Sequence, residues 1–104
     1  MPDSPITEDA LARARVRVPQ HVVYRTFETE TVLLNLSTGQ YHGLNATAGR
    51  MLEILQETGS AQAAAETVAR EYERPVDEVM QDLTQLCVEL VHRDLLELTA
   101  REPE

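Results

Sequence analysis

The stretch TVLLNLSTGQYHGLNATA, residues 31–48, decides the fold of this chain. Its first part alternates between two sets of side chains, which are Val32, Leu34 and Leu36 in one set and Thr31, Leu33 and Asn35 in the other. This period of two predicts a half-buried β-strand. Residues 37–39, Ser-Thr-Gly, predict a tight turn, and residues 40–44 predict a short strand that returns beside the first. A helix then begins, capped by Asn45 or Thr47.

A third β-rich run, VVYRTF at residues 22–27, precedes this stretch and is separated from it only by residues 28–30. Connections this short join antiparallel neighbours, so the three strands are predicted to form a meander. The last strand, residues 40–44, can then lie at the edge of the sheet. An edge strand presents unpaired backbone groups, and the sequence therefore raises the question of what binds there.

Three helices are predicted after the sheet. The first ends at Gly59, the second is capped by Ser60, and the third begins at Pro75 and runs to Arg93. The buried stripes comprise Ala48, Met51, Leu52 and Leu55 in the first helix and Ala64, Ala65, Val68 and Tyr72 in the second. The predicted fold class is α+β, with a three-stranded antiparallel sheet followed by three helices in a winged-helix-like arrangement.

The N-terminal end of the chain is predicted to contribute little to the core. Val16 and Val18 allow a short edge strand, which Pro19 interrupts, and the rest of residues 1–18 offers little to bury. Near the other end, a short strand or extended turn is predicted at Leu95, Leu96 and Leu98, and residues 101–104 are expected to fray. The predicted organisation is a tail or weak edge strand over residues 1–19, a domain over 20–98 and a tail over 99–104.

The third helix has a wider apolar surface than a small core needs. Its apolar side chains span about 140° of the helical wheel, and the set comprises Val76, Val79, Met80, Leu83, Leu86, Cys87, Leu90 and Val91. Asp82 borders this arc, with Glu78 and Glu89 behind it. One interpretation is a core stripe with a solvated flank. The other is that the margin at Val79 and Leu86 is half exposed and lines a groove together with the acidic residues.

The charge of the chain argues against nucleic acid as a partner. Eighteen acidic residues against nine basic ones give a net charge of −9. A winged helix usually suggests DNA, but residues 73–97 carry seven acids and only two bases, Arg74 and Arg93. A recognition helix of that sign repels phosphate, so the charge outweighs the analogy of fold.

No arrangement of residues predicts catalysis or a cofactor. His21, His42 and His92 do not pair with one another or with Cys87 at metal-ligand spacing, and no nucleophile or phosphate-loop motif is found. Cys87 lies on an apolar helix face, which is typical of a small buried hydrophobe. The missing catalytic motifs predict a protein that is not an enzyme. A single cysteine, no signal sequence and no long apolar run predict a cytoplasmic protein that is not membrane-bound.

The order of motifs resembles the small protein D of pyrroloquinoline-quinone biosynthesis (PqqD) and its relatives. The resemblance covers residues 20–98. Its specific part is the segment VLLNLSTGQYHGLNATA, and the helix that carries Val79, Leu83 and Leu86 follows it. This family supplies recognition elements for the precursors of ribosomally made peptide natural products. Within the family, the sequence of this segment is most similar to the stand-alone recognition proteins of lasso-peptide clusters.

The resemblance implies a non-catalytic adaptor that binds the leader of a precursor peptide. The leader is expected to add as a strand at the sheet edge and to lie against the third helix. The implied peptide-binding residues are Leu34, Gln40, Tyr41, His42, Gly43, Leu44, Glu78, Val79, Asp82, Leu83, Leu86 and Glu89. The implied partners are the leader and a transglutaminase-like leader peptidase, with a cyclase as a further candidate, and no cofactor or metal is implied.

Two alternatives remain open from the residues themselves. One is an acidic winged-helix regulator or protein-interaction module, and the other is a small subunit of an enzyme. The absence of a basic patch disfavours the first, and the absence of a catalytic constellation disfavours the second.

Overall fold

The computed structural model describes residues 7–100, which form four helices and five strands. A two-stranded sheet pairs β1 with β5, and a three-stranded sheet has the order β2-β3-β4. Both sheets are antiparallel, and the predicted α+β class is confirmed. The elements are α1 Glu8–Ala12, β1 Ala14–Arg17, β2 Val22–Thr26, β3 Glu30–Asn35, β4 Tyr41–Asn45, α2 Ala46–Thr58, α3 Ala61–Tyr72, α4 Val76–His92 and β5 Glu97–Ala100.

The strand β3 is predicted correctly, and the structure adds which of its faces is packed. Thr31, Leu33 and Asn35 are buried, whereas Leu36, from the more apolar set, is 57% exposed. Asn35 is tolerated in the core because its side-chain oxygen accepts hydrogen bonds from the backbone N–H groups of Ser37 and Thr38, at 2.9 and 3.2 Å. The same contacts fix the turn at Gly39, where φ is 76°.

The three predicted helices are α2, α3 and α4. Helix α2 packs on β3 and β4, and α3 and α4 pack against α2 and against each other. Asn45 caps α2 by accepting from the Ala48 N–H at 2.9 Å, and Ser60 caps α3 by accepting from the Ala63 N–H at 3.1 Å. Gly59 ends α2 in the left-handed conformation, with φ of 68°. These predictions are confirmed, but Tyr72, predicted to be buried in α3, is 42% exposed.

The prediction that the N-terminal segment buries little is wrong for its described part. Residues 8–12 form α1, which buries Leu11 completely, and β1 places Val16 in the core. β1 is held by β5, with Val16 paired to Leu98, and the Val16 N–H donates to the Gly59 carbonyl at 3.1 Å. Residues 1–6 and 101–104 of the two predicted tails lie outside the described part of the chain.

The sheet and α2 approach each other closely at Gly49. A Cβ atom added there would lie 2.3 Å from the Thr31 Oγ1 and 2.9 Å from the Thr31 Cβ. Thr31 is itself 1% exposed, and its hydroxyl is held by a 3.3 Å hydrogen bond to Thr26 Oγ1. Glycine is therefore required at this position because α2 packs directly onto β3.

We expect Gly49→Ala to destabilise the protein by about 1–3 kcal/mol, because the added methyl group overpacks the contact with Thr31. At an unconstrained helix position the same change would stabilise by roughly 0.5–1 kcal/mol, so the sign is diagnostic. Urea unfolding measures the difference. Gly43→Ala is the matched control, since a Cβ at Gly43 meets nothing within 4 Å. A more stable Gly49→Ala variant would contradict the packing described here.

Candidate functional site

The edge of β4 is the first component of the candidate site. In the ladder, the Asn35 N–H donates to the Gln40 carbonyl at 2.9 Å, and the Phe27 N–H donates to the Glu30 carbonyl at 2.7 Å. Odd-numbered residues of β3 therefore bond β4, and even-numbered ones bond β2. On β4, this alternation turns the backbone N–H and C=O groups of Tyr41 and Gly43 away from β3. Within residues 7–100 no other strand pairs with this edge, so the prediction that it is a sheet edge is confirmed.

Helix α4 runs beside this edge and forms an edge groove with it, defined here as the space between residues 40–48 and residues 82–95. His42 Nε2 lies 3.5 Å from Glu89 Oε2, and this contact between β4 and α4 crosses the groove near its middle. At one end a hollow of about 350 Å³ is lined by Asn45, Thr47, Ala48, Met51, Arg74, Asp82, Gln85 and Leu86. At the other end a hollow of about 20 Å³ lies among residues that include Gln40, His42 and Arg93.

The larger hollow combines an apolar base with a polar rim. Met51 and Leu86 are 2% and 8% exposed, so they present only a small apolar surface at its base. Around them stand the side chains of Asn45, Asp82 and Gln85, which are exposed to solvent. This arrangement can enclose one apolar side chain while leaving polar groups for an extended backbone at the rim.

The acidic border of α4 is partly neutralised by the chain's own bases. Arg74 Nη2 donates to Asp82 Oδ2 at 3.0 Å and lies 3.6 Å from Glu78 Oε1. The hydrogen bond that Arg74 donates to Asp82 raises the pKa of Arg74 above its ordinary value. Glu89 Oε2 is shared between His42 and Arg93, whose Nε lies 3.6 Å away. The groove therefore carries paired charges rather than a row of uncompensated carboxylates.

The structure places the sequence-predicted site residues in three different settings. At the groove it brings together Gln40, Tyr41, His42, Gly43, Asp82, Leu86 and Glu89, with Glu78 next to them on α4. Leu34 lies on the opposite face of the sheet, and Leu44 is 6% exposed on the inner face. Val79 and Leu83 are fully buried in the core. The interpretation that the margin at Val79 and Leu86 is half exposed is therefore wrong, because Val79 is fully buried and Leu86 is only 8% exposed.

Sequence reasoning missed a second surface, the outer face of the three-stranded sheet. This outer face carries an open hollow of about 370 Å³, lined by Val23, Tyr24, Arg25, Phe27, Val32, Leu34 and Tyr41. Val23 is 47% exposed, Phe27 53% and Tyr41 74%. Exposed apolar side chains grouped in this way mark interaction surfaces. The signal in the sequence was that both sets of β3 side chains contain leucine, so that neither face of the strand is polar.

Cys87 belongs to the core, as predicted. It is 0% exposed, and burial raises the pKa of its thiol to about 12. No group of three or more His, Cys, Asp or Glu side chains in the described range 7–100 is arranged to hold a metal ion.

None of the helices in the described part of the chain is both long and apolar enough to span a bilayer.

The family model of coenzyme PQQ synthesis protein D (PqqD) matches residues 30–96, which include β3, β4 and the helices α2, α3 and α4. A search of curated proteins finds no match.

Solved structures share this architecture. A structure described as TbiB1 in complex with the TbiA(beta) leader peptide is 31% identical, with a TM-score of 0.73, and the match covers 78% of this chain and 94% of that one. Lasso peptide synthetase B1 complexed with the leader peptide is 24% identical, with a TM-score of 0.73 and coverage of 81% and 99%.

A third structure is the PqqD part of PqqCD from Methylobacterium extorquens, described as a stand-alone recognition element for ribosomally synthesised and modified peptides. It is 20% identical, with a TM-score of 0.67 and coverage of 79% and 87%. At these identities, the synthetase B1 and PqqCD structures show that the fold is shared.

Proposed function

Because this chain belongs to the PqqD family, we propose that it is a non-catalytic adaptor that binds the leader of a ribosomally made precursor peptide in lasso-peptide biosynthesis. The observation that carries the proposal is the open edge of β4 facing α4 across a groove. It is supported by the leader peptide bound to the relative that is 31% identical.

In the proposed complex the leader adds as a fourth strand beside β4. Tyr41 and Gly43 turn their N–H and C=O groups to this side, so each can exchange two hydrogen bonds with the leader backbone. Side chains of the leader then alternate between two faces. Those in line with Tyr41 and Gly43 lie on the outer face of the sheet, and those between them point into the edge groove.

The larger hollow of the edge groove supplies the anchor site on the inner side. An aliphatic leader side chain placed against Leu86 and Met51 would be removed from water, which contributes about 1.5–3 kcal/mol for a fully buried side chain. The polar rim formed by Asn45 and Gln85 restricts the apolar contact to one side chain. Val79 and Leu83, which lie beneath the surface, support this site through packing rather than through contact with the leader.

Charge acts on the leader mainly at long range. Asp82 and Glu89 already have partners in the chain, so a basic leader would meet few uncompensated carboxylates in the groove. The net charge of −9 still attracts a basic peptide and accelerates its association at low salt. We therefore assign affinity to the backbone and the apolar anchor, and association rate to charge.

The adaptor is further proposed to present the bound leader to a leader peptidase, with a cyclase as a second candidate partner. The outer face of the sheet supports this assignment, because its exposed side chains Val23, Phe27 and Tyr41 are apolar. Tyr41 belongs to β4, so a partner docked there would also lie next to the added leader strand. The action is proposed to take place in the cytoplasm.

A DNA-binding regulator is not favoured by the structure. The exposed residues of α4 include Asp77, Glu78, Asp82 and Glu89, and no exposed lysine or arginine lies within that helix. Phosphate would be repelled from this surface.

We expect the isolated protein to bind a synthetic peptide of the leader encoded beside its gene, at a ratio of one to one and without added metal. Titration calorimetry in the presence and absence of a chelator measures this directly. A peptide of the same composition in scrambled order is the control, because it preserves charge but removes the positions of the anchors. No detectable binding of the leader, or binding that disappears with the chelator, would refute the proposal.

A further inference from the structure

A further hollow lies between the short helix α1 and the first turns of α3 and α4. Its volume is about 260 Å³, and it is lined by Glu8, Ala12, Gln62, Val76, Asp77 and Met80. Helix α1 packs against both α3 and α4, and it precedes residues 30–96, which the family model matches. We call this feature the α1 hollow, because it exists only where α1 is added to the segment that the family shares.

The α1 hollow is separate from both surfaces assigned above. With about 100° between successive helix residues, positions 76, 77 and 80 of α4 lie roughly opposite positions 82, 86 and 89, which border the edge groove. None of the residues that line the α1 hollow belongs to the three-stranded sheet, so the outer face is distinct from it as well. A protein docked in the α1 hollow would leave the leader and the outer face uncovered.

The α1 hollow combines apolar surface with negative charge. Val76 is 41% exposed, and Met80, at 8%, lies beneath it. Glu8 and Asp77 are exposed on two different helices, and within residues 7–100 neither forms an ion pair. The acidic residues of the edge groove, in contrast, have basic partners within the chain. The α1 hollow therefore offers two carboxylates to a cation from outside.

We propose that the α1 hollow is the docking site of the cyclase and receives an arginine side chain from the surface of that enzyme. The inference rests on the proposed adaptor function and deepens it by assigning the second enzyme partner to a surface of its own. The aliphatic stem of the arginine would lie against Val76 and Met80, and its guanidinium would reach Glu8 and Asp77.

An arginine suits this geometry better than other cations. Its planar fork of five N–H donors can serve carboxylates on two helices at once, whereas the ammonium group of lysine is a compact point charge. A metal ion such as Ca²⁺ needs about six oxygen ligands or more, and two carboxylates beside an apolar base do not supply them. Arginine is also enriched in protein interfaces, where it often contributes a large part of the affinity.

The test is the affinity of the purified cyclase encoded beside the gene for the full chain saturated with leader peptide, measured by biolayer interferometry. In the double variant Glu8→Gln, Asp77→Asn, we expect cyclase binding to weaken about fivefold to tenfold at low salt, and less at high salt. Gln62→Glu adds a third carboxylate to the α1 hollow and should strengthen binding about twofold.

The matched control is the double variant Glu28→Gln, Glu57→Gln. It removes the same two charges at exposed positions that do not line the α1 hollow. Cyclase binding should stay within about twofold of wild type, since only the net charge has changed. Circular dichroism checks that every variant is folded, and calorimetry should give the wild-type leader affinity for all of them.

No binding of the cyclase, or an equal loss in both double variants, would overturn the docking assignment while leaving the adaptor proposal intact. Self-association of the chain that only Glu8→Gln, Asp77→Asn abolishes would overturn it too, because the α1 hollow would then receive a second copy. Failure of the wild-type protein to bind its leader would overturn the adaptor proposal and this inference together.

Discussion

Replacing Tyr41 by proline is expected to weaken leader binding at least about 100-fold while the protein remains folded. The Tyr41 N–H faces the open edge, so proline removes a donor to the leader without removing one to β3. The proline ring also projects into the space that the leader backbone would occupy. Tyr41 is the first residue of β4, where proline is tolerated in an edge strand. Calorimetry gives the affinity, and circular dichroism reports the fold.

Two variants make this prediction specific. Tyr41→Ala keeps the N–H and should bind far better than Tyr41→Pro, with only the loss of contacts to the exposed ring. His42→Pro should instead destabilise the protein, because the His42 N–H faces β3 in the alternating ladder. A folded Tyr41→Pro protein that binds the leader as tightly as Tyr41→Ala would exclude strand addition at β4.

Placing charges on the outer face should separate binding from processing. In the double variant Val23→Glu, Phe27→Glu, we expect leader affinity to stay within about twofold of wild type, because neither side chain lies in the edge groove. Removal of the leader by the peptidase should fall at least about tenfold, since burying a charge in an apolar interface is costly. The measurement is the rate of leader cleavage with adaptor and peptidase both present.

The matched control is the double variant Gln62→Glu, Gln81→Glu. It adds the same two negative charges at exposed positions of α3 and α4. With this control variant as the adaptor, the leader should be cleaved at the wild-type rate. If both double variants slow cleavage equally, the effect arises from total charge, and the outer face is not where the peptidase docks.

The elements of the fold were predictable because polar residues and glycines mark their ends. Backbone groups at the helix ends find hydrogen-bond partners in nearby residues, which are Asn45, Gly59 and Ser60. The positions of these residues can therefore be recognised without knowledge of the rest of the molecule. The predicted sheet edge followed from the short connections on either side of β3. These features depend on contacts between residues that are close in sequence.

The packed face of β3 was not predictable, because it depends on contacts distant in sequence. Hydrophobicity alone favours burial of Val32 and Leu34, yet the core takes Thr31 and Asn35 instead. The reasons are the close approach of Gly49 to Thr31 and the hydrogen bonds of the Asn35 side chain to the turn. The apolar outer face, which resembles core in the sequence, is consequently left exposed.

The pairing of β1 with β5, which joins the two ends of the described chain, was not predictable for the same reason. β1 is held by β5, and Arg17 forms an ion pair with Glu97, which lies 80 residues later. The single buried residue of β1, Val16, gives little signal between two arginines. On α4, the width of the apolar arc and its margin at Val79 and Leu86 were visible in the sequence, but only the packing shows that both of these side chains are buried.

The burial of Cys87 makes the protein ready for site-specific labelling. Its thiol is fully enclosed and holds its proton to a pKa of about 12, so thiol reagents at neutral pH will not reach it in the folded state. A cysteine introduced at exposed Thr38, in the turn that precedes β4, would then be the sole reactive thiol among the described residues. A fluorophore attached there can report occupancy of the strand edge in real time, without first removing the native cysteine.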